Sequence, residues 1–181
     1  ANTTMNLGIM KRRSSDFDDA KKLYEQAQAK RDTILKTNLQ SRELRRDIAK
    51  GCINIANVLI DESQNADSFD AISKQLERAV AILETLLKQR PSDLQDRYLL
   101  MLCHRMLGDV HSRLAQKAPE QRGLAIDRYT QAEQVARELT ERNPDIDKYR
   151  LELSGLLMNV GLLLAQEGKF APALREFLEA R

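Results

Sequence analysis

The apolar residues of this chain recur at the spacing of amphipathic helices. Ile48, Cys52, Ile55 and Leu59 are four, three and four residues apart, which places them on one face of a helix. Polar or proline-containing breaks separate successive apolar stretches. The pattern predicts a short first segment and seven helices, with approximate bounds 3–13, 14–36, 40–63, 69–89, 92–117, 119–142, 145–167 and 170–181.

Short polar residues and one proline predict where helices begin. Ser14-Ser15-Asp16 can accept the free N–H groups of a helix start, and Ser92 with Gln95 has the spacing of a capping box. Pro119 suits a first helical turn, where no N–H is missed. If the helix over 92–117 is continuous, it should be about 38 Å long at ~1.5 Å per residue.

One pattern of small and aromatic residues occurs four times. In its last copy, Gly161 is followed by an alanine, an aromatic residue and an alanine, four and then three residues apart. The first copy repeats these spacings residue for residue, and the two middle copies carry insertions of four and five residues before the first of the three. The four copies are Gly8, Ala20, Tyr24, Ala27; Ala56, Ile72, Leu76, Ala79; Gly108, Ala125, Tyr129, Ala132; and Gly161, Ala173, Phe177, Ala180.

This pattern resembles the tetratricopeptide repeat (TPR), in which Leu-Gly-x2-Tyr precedes Ala-x3-Phe and a further alanine. The period is longer than the usual 34 residues of that family: the copies here are 48, 52 and 53 residues apart. Two helices that are each seven residues longer, together with the insertions, account for the excess. The long spacing is similar to that of the helical arrays attached to some bacterial serine/threonine kinases.

The resemblance implies an all-α fold, an α-α superhelix in which antiparallel helical hairpins stack as a TPR-like solenoid. The chain is expected to form one array of about four repeats, over 1–38, 39–91, 92–144 and 145–181, within a longer protein. The small residues at positions 8, 56, 108 and 161 should lie where paired helices approach most closely. The alanines at positions 27, 79, 132 and 180 should lie where a second helix meets the next repeat.

A TPR-like array binds partners on a concave face that is lined by the first helix of each repeat. Carrying those positions across by spacing gives a predicted partner-binding set: Lys50, Ile53, Asn57 and Asp61; Arg105, Asp109, Ser112 and Arg113; Met158, Leu162 and Gln166; and, from the first repeat, Met5, Ile9 and Arg12. The family's clamp for a peptide carboxylate, which needs converging Lys, Asn and Arg side chains, is absent. Arg105, Asp109 and Arg113 therefore suit either a ladder of i,i+4 ion pairs or a partner-contact patch.

Composition limits the alternatives. The 29 basic and 27 acidic residues give a net charge of +2, which is no electrostatic footprint for nucleic acid. No apolar run approaches the ~18 residues of a membrane span. Two cysteines are too few for a disulfide framework, so a reducing, cytoplasmic location is the expectation.

No constellation of residues predicts catalysis, a cofactor or a metal. His104 and His111 are seven residues apart, but they occupy the helix-packing positions of Leu157 and Leu164 in the next repeat. Structural histidines are therefore expected, since a zinc site would need about four suitable ligands.

The predicted function is a non-enzymatic scaffold for a protein or peptide. The alternative is a regulatory or self-association domain of a larger enzyme such as a serine/threonine kinase. Ala173, Leu174, Phe177 and Leu178 are expected to form an uncovered end surface. This predicts that the native protein continues beyond Arg181, and that the isolated fragment either packs end to end with a second copy or frays after Phe170.

Overall fold

A computed structural model describes residues 2–38, 40–62 and 67–181 of the chain. The described residues form eight α-helices and no β-strand, so the predicted all-α fold class is confirmed. The helices are α1 (Asn2–Arg13), α2 (Phe17–Thr37), α3 (Arg42–Glu62), α4 (Asp67–Gln89), α5 (Leu94–Leu114), α6 (Gln121–Arg142), α7 (Asp147–Gln166) and α8 (Phe170–Glu179).

The chain divides into two compact units, Ala1–Ser92 and Asp93–Arg181. In the first unit α1 packs on α2, α2 on α3 and α3 on α4; in the second, α5 packs on α6, α6 on α7 and α7 on α8. Neighbouring helices joined by short loops in this way are αα-hairpins. Each unit is thus a pair of TPR-like helical hairpins.

The predicted close approach at the repeated glycines is confirmed. A Cβ atom placed on Gly8 would lie 2.6 Å from the Tyr24 ring, and one on Gly161 would lie 2.6 Å from the Phe177 ring. At Gly108 the corresponding distance to the Tyr129 ring is 2.5 Å. No side chain fits at these separations, so the aromatic residue of one helix packs directly on the backbone of its partner.

The alanines of the repeat pattern lie in the interior between hairpins. Ala27 and Ala132 are fully buried, and Ala132 lies in one core cluster with Leu156 and Val160 of α7. A larger side chain would push α6 away from α7, because protein interiors are already close-packed. Ala180 differs, since it is only partly buried at the end of α8.

Several predicted helix ends are corrected. The fifth helix is continuous, but it has 21 residues rather than 26, which gives a length of about 32 Å. Its N-cap is Asp93, whose carboxylate accepts the Asp96 N–H at 3.1 Å, so the Ser92–Gln95 capping box is wrong. Because Asp93 already satisfies an N–H of the first turn, the helix starts after it.

Two other predicted starts also shift. Asp16 is the N-cap of α2, but its side chain makes no capping bond because it pairs with Lys11 at 2.7 Å. Pro119 lies in a turn two residues before α6. The polar loop predicted over 64–68 lies partly outside the described residues, and α4 already begins at Asp67.

Candidate partner-binding surface

In the first unit, the predicted surface residues divide between the interior and a groove. Met5 and Ile53 are buried, at 6% and 7% exposure. Met5 packs into a core cluster with Ile55 and Val58 of α3. Neither side chain offers much area to a partner. Lys50 is partly exposed, as is Asn57 seven residues further along α3.

The other predicted residues of this unit meet at one groove of about 460 Å³. Arg12 of α1 donates from Nε to the Asp61 carboxylate of α3 at 2.7 Å, which joins the two helices across it. Ile9 also lines the groove, together with Asn54 and Tyr24. Burial raises the pKa of the Tyr24 hydroxyl. Sequence reasoning missed Asn54, which is partly exposed. Tyr24 borders the groove but is itself buried, at 1% exposure.

In the second unit, charged side chains connect the first helices of both hairpins. Arg105 of α5 lies 3.9 Å from the Asp109 carboxylate one turn further on, as the ladder interpretation predicted. Its Nε also lies 3.6 Å from a carboxylate oxygen of Glu152 on α7. This second pair places the predicted faces of α5 and α7 side by side.

Asp109 of α5 is held by a hydrogen bond from a tyrosine of the neighbouring helix α6. The Tyr129 hydroxyl of α6 donates to Asp109 Oδ1 at 2.7 Å. Burial raises the pKa of Asp109, while this hydrogen bond and the charges of Arg105 and Arg113 act in the opposite direction. Burial, with the neighbouring carboxylate, also raises the pKa of Tyr129. The Asp109 carboxylate is therefore fixed in place. The other two predicted residues of α5 are accessible: Arg113 is exposed and Ser112 is partly exposed.

A small aromatic group extends this network toward the start of α7. The Tyr98 hydroxyl donates to Glu152 at 3.1 Å, and Lys148 Nζ lies 3.8 Å from the centre of the Tyr98 ring. Tyr149 lies against the same tyrosine, with 6.0 Å between ring centres. Sequence reasoning missed these residues; the signal was that Tyr98 precedes Arg105 by seven residues and so lies on the same helix face.

An apolar row on α7 completes this surface. Leu151, Met158 and Leu162, here called the α7 stripe, are 72%, 44% and 50% exposed. With Gly155 between the first two, their spacing is four, three and four, which keeps them on one face. The predicted Gln166 continues the row and is exposed. The α5–α7 face, defined by Arg105, Asp109, Glu152 and the α7 stripe, thus combines an apolar row with a fixed polar border.

The histidines have structural surroundings. His104 is 6% exposed, and burial together with the charge of Arg128 lowers its pKa to about 4. His111 Nδ1 lies 2.9 Å from Gln121 Oε1, in a contact that joins α5 to the start of α6. Both cysteines are buried thiols, and burial raises the pKa of Cys52 to about 11.

Metal-binding and membrane-spanning features are both absent from the described ranges. No group of three His, Cys, Asp or Glu side chains is arranged to hold a metal ion among residues 2–38, 40–62 and 67–181. Across the same part of the chain, none of the helices has the length and apolar character needed to cross a bilayer.

Comparison with known proteins gives structural neighbours only. No family model matches the chain, and no curated protein matches it. Among solved structures, TTC0263, a TPR protein of Thermus thermophilus, is 17% identical with a TM-score of 0.35, over 99% of this chain and 89% of that one. A MamA protein is 16% identical with a TM-score of 0.32, and the alignment covers 99% of this chain and 88% of that protein. MamA from Desulfovibrio magneticus RS-1 is 13% identical with a TM-score of 0.32, and the alignment covers 99% of this chain and 92% of that protein. At these low scores, the TPR-like assignment rests on the chain's own repeated glycine–aromatic contacts.

Proposed function

We propose that this chain is a non-catalytic scaffold that binds a protein or peptide on the concave face of a TPR-like array. In the second unit the binding surface is the α5–α7 face. The observation that carries the proposal is the α7 stripe, because three large apolar side chains stand exposed in one row. Single exposed apolar residues are ordinary, but an aligned row beside polar groups is typical of an interaction site.

The polar border supports the same proposal. Asp109 and Glu152 accept hydrogen bonds from Tyr129 and Tyr98, so a partner would not have to order these two carboxylates. Arg105 lies 3.9 Å from Asp109 and 3.6 Å from Glu152. Pre-ordered side chains lower the entropy cost of binding. A suitable ligand presents apolar side chains to the α7 stripe and polar groups to this border.

An array of immobilised twelve-residue peptides of random sequence tests the proposal. The variant Leu162→Arg should lose most of the peptides that the unmodified chain binds, because it places a charge in the middle of the stripe. Leu174→Arg is the matched control, since Leu174 is 56% exposed and lies outside the face, on α8. Circular dichroism checks that both variants stay folded. If Leu162→Arg keeps the same peptides, the binding surface lies elsewhere.

A second candidate is a regulatory or self-association domain of a larger enzyme, such as a serine/threonine kinase. Self-association is favoured by Phe170, Leu174 and Leu178, which form an exposed row along α8 at 71%, 56% and 63% exposure. Only part of the end surface expected from the sequence is present, because Ala173 is buried and Phe177 packs on Gly161. Sedimentation velocity should show a reversible association that Leu174→Arg abolishes; a strict monomer at tens of micromolar contradicts this candidate.

A further inference from the structure

The groove between α1 and α3 in the first unit is lined by a buried tyrosine whose hydroxyl group has no hydrogen-bond partner in the fold. Tyr24 is 1% exposed, and no residue within 2–38, 40–62 and 67–181 accepts a hydrogen bond from its hydroxyl group. We call this groove, of about 460 Å³, the α1–α3 groove. Its lining comprises Ile9, Arg12, Arg13, Phe17, Tyr24, Asn54 and Asp61.

The second unit shows what satisfies a tyrosine in the same setting. The rings of Tyr24 and Tyr129 pack on Gly8 and Gly108 almost equally closely, since a Cβ atom on each glycine would lie 2.6 Å and 2.5 Å from the ring. The hydroxyl group of Tyr129 donates to Asp109 Oδ1 at 2.7 Å. A carboxylate is therefore the acceptor for this tyrosine in the second unit.

In the first unit an apolar side chain takes the position of that carboxylate. The residue after the glycine is Asp109 in α5 but Ile9 in α1, and isoleucine has no acceptor. The residue four positions later is an arginine in both helices, Arg113 and Arg13. Because a buried tyrosine hydroxyl group usually has a hydrogen-bond partner, the first unit keeps the donor of this contact and lacks its acceptor.

The charges that line the α1–α3 groove favour an anion. Arg12 is paired with Asp61 at 2.7 Å, while Arg13 is exposed and forms no ion pair within the described ranges. Asn54 Nδ2 donates to the sulfur of Met5 at 3.3 Å, and a thioether is a weak acceptor that a carboxylate can replace. With one positive charge in excess, the groove suits an acceptor that carries a single negative charge.

We propose that the α1–α3 groove binds the side chain of an aspartate or glutamate in the partner peptide. The carboxylate of that side chain accepts a hydrogen bond from Tyr24, as Asp109 does from Tyr129, and takes further bonds from Arg13 and Asn54. The inference rests on the proposed function, because it names the type of residue that a peptide on the concave face presents to the first unit.

The array of twelve-residue peptides tests the inference when each peptide has a copy in which Asn and Gln replace every Asp and Glu. All peptides are attached through their C-termini, so that no terminal carboxylate is present. The unmodified chain should bind a set of acidic peptides more tightly than their amide copies. Tyr24→Phe keeps the ring that packs on Gly8 and removes only the hydroxyl group. It should bind this set about tenfold more weakly, as expected for loss of a hydrogen bond to a charged group.

Three further variants separate this groove from other sources of binding, with circular dichroism as the check on folding. Arg13→Gln should also weaken binding of the acidic set. Lys30→Gln removes the same charge from an exposed residue of α2 outside the groove and should leave binding of this set unchanged. Leu162→Arg should keep the acidic set, because it alters the α5–α7 face of the second unit.

The inference is overturned if Tyr24→Phe binds the acidic set as tightly as the unmodified chain, or if acidic peptides and their amide copies bind equally. In either case the proposed function still stands when Leu162→Arg loses its peptides. Equal losses in Arg13→Gln and Lys30→Gln would assign the acid preference to net charge and also contradict the groove. If the unmodified chain binds no peptide at all, the proposed function fails together with this inference.

Discussion

Replacing His104 with leucine should remove much of the loss of stability that this protein suffers in mild acid. His104 is 6% exposed in α5, and its Nδ1 atom is buried without a hydrogen-bond partner. Burial and the nearby Arg128 both disfavour the imidazolium. The corresponding position in the next hairpin is Leu157, which is 1% exposed, so a leucine suits this kind of site.

The size of the effect follows from the shift of the pKa. The pKa of His104 falls from 6.5 in its ordinary state to about 4 in the fold. Between these values the unfolded chain binds a proton that the folded chain does not, so stability is full above pH 6.5 and is lost as the pH falls toward 4. The difference of about 2.5 pH units corresponds to about 3 kcal/mol in total, of which about 2 kcal/mol is lost between pH 7 and pH 5.

Urea unfolding at pH 7 and pH 5 measures this loss. We expect the drop in unfolding free energy between the two pH values to be about 2 kcal/mol smaller in His104→Leu than in the unmodified protein. His111→Gln is the matched control and should keep the full drop, since His111 is only partly buried. An identical drop in His104→Leu and the unmodified protein would refute the burial argument.

Other predictions test the packing. Gly161→Ala should lower the unfolding free energy by about 1–3 kcal/mol, because the new Cβ meets the Phe177 ring. Gly155→Ala on the same helix has open space and should raise the unfolding free energy by about 0.5–1 kcal/mol. Equal urea midpoints for the two variants would contradict the assigned helix faces. Arg31 is 4% exposed, and its Nε and Nη1 atoms lack acceptors, while its Nη2 contacts Asn2 at 3.0 Å and Asp47 at 3.6 Å. Arg31→Leu should stabilise by about 1 kcal/mol in the same assay, because it removes unsatisfied buried donors while Asn2 and Asp47 are accessible to water. A comparable loss would argue against this. Amide hydrogen exchange over Phe170–Glu179 should be faster than in α4, since a helix of ten residues is only marginally stable without extensive packing. Equal protection of the two helices would contradict this expectation.

The sequence by itself determined the succession of helices, their pairing and the contacts at Gly8, Gly108 and Gly161. These features depend on local properties. An apolar period of 3.6 residues predicts a helix face, and the resemblance to the TPR pattern implies a close helix approach at the glycines. Each of these signals is repeated along the chain, so a weak copy of the pattern, such as the second, could be aligned with the stronger copies.

Only the tertiary structure decided which polar groups meet. From the sequence, Asp109 had Arg105 and Arg113 as equivalent neighbours one turn away on the same helix, yet its hydrogen bond comes from Tyr129 of α6. Likewise, Arg105 reaches Glu152 across to α7. Such contacts depend on interhelical distances of a few ångströms, and residue spacing along one helix contains no information about them.

Burial within the first unit was likewise a tertiary outcome. Met5 and Ile53 occupy positions that the repeat pattern assigns to a surface, but they are buried. Arg31 stands where Leu83 and Ala136 stand in other repeats, and it is buried as well. Periodicity gives the direction in which a side chain leaves its helix. Whether another helix covers that direction depends on where neighbouring helices begin and end, which only the folded arrangement decides.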